Sequence, residues 1–206
     1  MSLLAQAIPT VLSFMAQGNS PKDAMLYGAS VLDMVVRSVI SDTGRSADQA
    51  VMVANSNVTS YVRVVESPAC SRCILLAGRE YGVSSGFLRH PRCDCTMEPV
   101  THHHKPKPVD SQDVFDNMSA AQQRKTFGEA GAKAIRDGAD VATVVNARKA
   151  MDKVEMFGHK VQVTHVGTGS RRRKNPPRLT PEECYKQADG DREHAIRLLD
   201  KNGYIR

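Results

Sequence analysis

The chain of 206 residues has no tryptophan, and its aromatic residues amount to only 5%. With so few rings, its core must be built mainly from Ala, Val, Leu, Ile and Met, a composition that suits helix packing. No apolar run reaches the eighteen or more residues of a membrane span. No positive n-region precedes the first apolar stretch, so a secretory leader is not expected. There is no Gly-x-Ser-x-Gly elbow, no P-loop, no kinase motif and no paired-carboxylate motif. No histidine occurs before His90. That excludes a zinc deaminase, which needs a His-x-Glu ahead of its Pro-Cys-x2-Cys run. These absences leave no convincing catalytic constellation, and the expectation is that the chain is not an enzyme.

What is present is cysteine, concentrated in one place. Four of the five cysteines lie between Cys70 and Cys95, in the order Cys70-x2-Cys73, sixteen residues, then His90-x2-Cys93-x-Cys95. Thiolates at turn spacing, met by an imidazole and further thiolates after a loop, suit a tetrahedral Zn²⁺ site. Five candidates compete for four places. A Cys-x2-Cys turn aims both sulfurs at one ion, so Cys70 and Cys73 are the first choice, with His90 and Cys93 or Cys95 completing the set. Spacing does not rank Cys93 against Cys95. Two disulfides, buried thiols or a redox pair at Cys70 and Cys73 are the competing readings. An odd number of cysteines and no secretion signal favour zinc over disulfides. The zinc is expected to be structural, since neither Asp94 nor Glu98 sits in a His-x-Glu arrangement. Cys184, far from the cluster, reads as a buried thiol.

The formal net charge is +6, unevenly spread: residues 1–110 hold ten Lys/Arg and nine Asp/Glu, residues 111–206 eighteen and thirteen. The excess peaks at Arg171, Arg172, Arg173 and Lys174, within the Gly- and Pro-bounded run 167–178. Such a run neutralises phosphates without reading bases. With no aromatics interleaved, it is not a single-strand binder. Contact with DNA, docking to an acidic protein surface and a simple solvated loop are the three readings of it.

In order, residues 1–44 read as apolar helices. Ser20-Pro21 starts a helix to about Ile40, Ser41-Asp42-Thr43-Gly44 breaks it, and the pair is core or an interface. Residues 45–100 form the Cys/His module, with a helix over about 47–60, a strand at Tyr61–Val65, and a loop over Tyr81–Phe87. Residues 101–110, THHHKPKPVD, are an extended linker whose His102, His103 and His104 are solvated. Residues 111–206 form a basic helical region. It has a capping box at Ser119-x2-Gln122 opening a helix to Asp137-Gly138, a short helix capped by Asp140, a strand at Lys160–Thr164, and helices opened by Thr180-Pro181 and Asp191. The fold class expected is α+β, mostly helical, with a small zinc-stapled Cys/His module and short strands.

The segments YVRVVESPACSRC and FLRHPRCDCTMEPV, followed by FGEAGAKAIRDGADVATVVNARKAM and RLTPEECYKQADGDREHAIRLLDKNGYI, resemble the MuF-like minor head proteins of tailed bacteriophages in their actinobacterial-phage form. The resemblance covers about residues 45–206. It implies a minor capsid protein of the virion, in the head interior or near the portal, assisting head assembly or genome packaging and delivery after synthesis in the host cytoplasm. The implied partners are the portal or the major capsid protein, with packaged DNA nearby. It places the metal positions on Cys70, Cys73, His90, Cys93 and Cys95. Family members are often fused to, or encoded beside, a capsid maturation protease, but no protease constellation is present. The alternative is a metal-dependent nuclease, with His102–His104, His159 or His165 supplying the base.

Overall fold

The computed structural model describes residues 5, 7–66, 68–156, 158–166 and 177–205. They form a mostly helical α+β fold with short antiparallel strands. The chain divides into two compact units, one of Met1–Ala69 with Gly78–Pro108, the other of Cys70–Ala77 with Val109–Arg206.

The first unit is built on a hairpin of α1 (Ala7–Ala16) and α2 (Pro21–Ala54). Ser20 caps α2, its hydroxyl accepting from the Asp23 amide at 3.1 Å, and Pro21 stands at the first helical position where its missing N–H is not needed. Phe14 of α1 stacks on Tyr27 at 4.6 Å. The helices meet closely at Gly28, where a Cβ would come within 2.4 Å of a Val11 methyl.

The break expected at Ser41–Gly44 does not occur, and the boundary expected at residue 44 falls inside α2. Polar side chains that would favour a turn are instead satisfied within the helix. Ser38, Thr43 and Ser46 donate to the carbonyls of Met34, Val39 and Asp42 at 2.7, 2.9 and 2.8 Å. The helix ends at Ala54, and the Asn55 carbonyl accepts from Val58 to turn the chain into β1. Among the described residues, α2 is the one helix long and apolar enough to cross a membrane by length and composition alone.

Strand β1 (Val58–Val64) is the middle of a three-stranded antiparallel sheet, between β2 (Glu80–Gly82) and β3 (Thr96–Thr101). It begins three residues before the expected Tyr61, inside the stretch expected to be helical, and β2 begins where a loop was expected. β3 escapes sequence reading because it contains Pro99, which only an edge strand tolerates. Short α3 (Ser71–Ile74) leaves the first cysteine pair. Residues 102–110 hold neither helix nor strand.

The second unit gathers α4 (Ser111–Asp116), α5 (Ala120–Phe127), α6 (Glu129–Arg136), α7 (Val141–Ala147), α8 (Pro181–Ala188) and α9 (Arg192–Lys201). They surround a core that includes Phe115, Phe127, Val144, Leu199 and Tyr204. The capping box of Ser119 and Gln122 forms, and Asp140, Thr180 and Asp191 cap α7, α8 and α9. One expected helix becomes two. Gly128, at φ +74°, breaks it between α5 and α6, and a side chain there would meet the Arg148 guanidinium. A second sheet, β4 (Met151–Met156), β5 (His159–Thr164) and β6 (Arg178–Leu179), is antiparallel throughout. Tyr204 closes this unit: its carbonyl accepts from the Asp140 amide at 2.8 Å and its hydroxyl donates to the Leu179 carbonyl at 2.9 Å.

Candidate metal centre

The side chains that build this centre begin with α2 and β1. The alternation of β1 sends Tyr61 and Arg63 to one buried face; Arg63 is only 2% exposed. Tyr61, Tyr81 and Phe87 form a ring cluster with centroids 5.6 to 6.3 Å apart, and the Arg63 guanidinium lies over Phe87 at 4.3 Å. From there Arg63 donates to the Leu88 carbonyl at 3.2 Å, and its Nη2 to the sulfurs of Cys93 at 3.5 Å and Cys95 at 3.4 Å.

The backbone of the His90–Cys95 turn is held from the other side by α2. Arg45, itself buried, donates through Nη1 to the carbonyls of Cys93 at 2.9 Å and Cys95 at 2.8 Å, while its Nη2 pairs with Asp42 at 2.5 Å. Arg89 reaches the same carboxylate at 2.6 Å. Its guanidinium, with that of Arg45 behind it, holds the Asp42 carboxyl below the usual carboxylate range. Arg92, at φ +61°, donates its amide to Ser38 and its guanidinium to the Ser30 carbonyl and to Asp33. The amide of Cys93 bonds back to the His90 carbonyl at 3.2 Å. A helix thus fixes a turn that has almost no hydrophobic content of its own.

Cys70 caps α3, and its sulfur accepts from the Cys73 amide at 3.4 Å, so the Cys-x2-Cys turn forms as expected. Cys73, Cys93, Cys95 and Cys184 are buried and Cys70 is half-buried. Two groups of potential ligands lie with their atoms within 4.8 Å of one another: Cys70, Cys73 and His90, and Cys73, Cys93 and Cys95. Cys73 belongs to both. Each group offers three Cys/His donors able to chelate a metal. Cys93 and Cys95, which spacing left unranked, stand together in the buried group. Cys70 is half-buried and His90 exposed in the other group.

The donor set fits a soft, four-coordinate ion. A zinc bound at about 2.3 Å by each thiolate sets neighbouring sulfurs roughly 3.8 Å apart. The ligand atoms of each group lie within 4.8 Å of one another, close enough for side-chain rotation to bring them to such a spacing. Arg63 brings a positive charge to within hydrogen-bonding distance of two of the sulfurs. His90 Nδ1 lies 2.7 Å from the Pro91 carbonyl, which can only accept, so Nδ1 carries the hydrogen and Nε2 presents its lone pair.

The two carboxylates nearest in sequence are engaged elsewhere. Asp94 accepts from Ser41 at 3.3 Å, and Glu98 pairs with His104 at 2.8 Å. His102, His103, His159 and His165 belong to no group of three potential ligands among the described residues. Arg171, Arg172, Arg173 and Lys174 lie outside the described residues. Cys184 is fully buried, and burial pushes its thiol up to about 12, as an inert core thiol requires.

Sequence reading missed Arg63 and Arg45. The signal for Arg63 was available: in YVRVV, alternation puts Arg63 on the face of Tyr61, and an arginine there must bury its charge against something. Arg45 had no such signal, since it sat just past an expected helix break. No family model, no curated protein and no solved structure matches the chain.

Proposed function

We infer that this chain is a minor structural protein of a tailed-phage head, and that its Cys/His cluster holds a structural zinc. The observation that carries the zinc is the buried group Cys73, Cys93 and Cys95, contacted by Arg63 through sulfur and by Arg45 through backbone. Those three thiolates with Cys70 or His90 complete a closed tetrahedral site. A catalytic zinc keeps a position for water and a base beside it; here Asp94 and Glu98 face other partners. In this reading zinc joins a loop that is too small and polar to order itself, so metal binding is folding energy for the module.

The head assignment rests on the resemblance of the quoted segments. It gives a chain of the head interior or portal region whose partners are the portal or major capsid protein, with the run Arg171–Lys174 beside packaged DNA. A basic second half and a metal-stapled module agree with an assembly role.

The test has two arms. Elemental mass spectrometry of the purified chain should find one zinc per chain. Mass spectrometry of purified particles of the phage that encodes it should find the chain at low copy number. No metal would remove the zinc reading, and absence from particles would remove the head reading. Mg²⁺-dependent cleavage of plasmid DNA, lost when His102–His104 are changed, would replace both with a nuclease.

A further inference from the structure

Helix α2 leaves one face uncovered along its length. At spacings of four and seven, that face carries Met25, Leu32, Val36, Ile40, Ala47 and Val51, with no charged side chain among them. Met25, Ile40 and Val51 are 64%, 67% and 69% exposed. The charged residues of the helix middle, Asp33, Arg37, Asp42 and Arg45, are engaged in ion pairs with one another and with Arg89 and Arg92. At one end α1 widens the face. Ile8 and Leu12, both well exposed, border an apolar groove of about 400 Å³ with Met25 and Leu32.

The order of residues along this face matches itself in reverse. Residues equally distant from Ser38 pair as Val36 with Ile40, Leu32 with Gly44, Ala29 with Ala47, and Met25 with Val51. Each pair is compatible across an antiparallel contact. Val36 and Ile40 are two branched aliphatics at the centre. Gly44 has nothing within 4 Å of where a Cβ would stand, which leaves room for a facing Leu32. Ala29 opposite Ala47 lets the backbones approach. Val51 arrives at the groove bordered by Ile8, Leu12 and Met25. At the edge, Asp33 faces Thr43, a polar pair.

We propose that this face is the seam of an antiparallel homodimer, with α2 of a second copy as its occupant. The contact is isologous, each residue meeting the partner of its mirror position. Taking roughly 200 Å² for an extended aliphatic residue, the exposed parts of Ile8, Leu12, Met25, Val36, Ile40 and Val51 present on the order of 700 Å² per copy. A standard stable interface removes about 800 Å² from each partner, and the largest apolar patch of a monomer is typically about 300–600 Å². The face offers a charged partner only Lys22 at one end and Asp33 at its edge, and Asp33 is already paired with Arg37 and Arg92. Insertion of its most apolar stretch across a membrane would carry the Asp33–Arg37 ion pair into hydrocarbon.

Sedimentation analysis of the full chain over a range of concentrations tests this. The wild type is expected at twice the 22.5 kDa of one chain. Val36→Asp and Ile40→Asp should each raise the dimer dissociation constant at least a hundredfold, with helical circular dichroism retained. Gly44→Leu, at a position where a Cβ meets nothing within 4 Å, should weaken the dimer tenfold or more and guards against misfolding of the aspartate variants. Leu88→Asp, at a residue 94% exposed and off this face, should leave the dimer intact. A wild type that is monomeric at every concentration overturns the proposal. So does a dimer as tight in Val36→Asp and Gly44→Leu as in the wild type, or a monomer that floats with phospholipid vesicles.

Discussion

Nη2 of Arg63 stands 3.4 Å from the sulfur of Cys95 and 3.5 Å from that of Cys93, at the centre of a sheet where the arginine is almost wholly buried. A guanidinium in that position orients two sulfurs at once. Arg63→Met should therefore lower zinc affinity by about 10–100-fold, the usual range for losing a residue that orients a ligand. Arg63→Lys, which keeps charge but not the planar fork, should fall between. Competition against a chromophoric chelator reads the difference. An unchanged affinity in Arg63→Met would separate this arginine from the metal.

Cys73 belongs to both groups of ligands, so its loss should be the most severe of the cysteine changes. Cys73→Ser is expected to abolish zinc binding, with Cys93→Ser and Cys95→Ser close behind. Between Cys70→Ser and His90→Ala, the one that retains zinc identifies the bystander. Cobalt substitution checks this independently, because thiolate-to-cobalt absorption scales with the number of sulfurs bound. Chelating the metal from the wild type should lower its melting temperature.

Asp42 links Arg45 and Arg89, and its carboxyl titrates below its ordinary value, chiefly through the bond from Arg89. A carboxyl depressed on folding contributes stability above its unfolded value, near 3.8, and that contribution is lost as pH falls through the folded value. Asp42→Asn should then be less stable than wild type at neutral pH, and the gap should close below about pH 4. Denaturant titrations at pH 7 and pH 3 measure it. A gap that persists at pH 3 would assign the loss to geometry rather than charge.

Gly28 lets α1 lie against α2, since a Cβ there would stand 2.4 Å from a branched, stiff valine. Gly28→Ala should cost roughly 1–3 kcal/mol as overpacking. Hydrogen exchange should show the protection of α1 falling while that of β1 is kept.

Cys184 should be the last thiol to react. Its thiol is pushed up to about 12 by burial and by the nearby Glu183 and Glu182 carboxylates, so almost none of it is thiolate at pH 8. In metal-depleted protein, mass-spectrometric mapping after brief iodoacetamide treatment should find Cys70 modified well ahead of Cys184. Early labelling of Cys184 would contradict its burial.

Local chemistry was legible wherever a signal lies within a few residues of what it controls. Ser20-Pro21, Ser119-x2-Gln122, Asp140, Thr180-Pro181 and Asp191 each cap the helix their spacing predicts, because an N-cap bonds only two or three residues ahead. The Cys-x2-Cys and His-x2-Cys-x-Cys spacings likewise determined which residues form the cluster. Tertiary structure decided the rest. Whether Ser41–Gly44 turns or stays helical depends on Asp42 and Arg45, which answer to Arg89 and to the Cys93 and Cys95 carbonyls about fifty residues away. Whether Cys93 or Cys95 joins Cys73 could not be read from spacing, since both sulfurs are drawn to Arg63 on a strand thirty residues earlier. Capping is a local equilibrium, whereas satisfying a buried charge is settled only by what the fold brings to it.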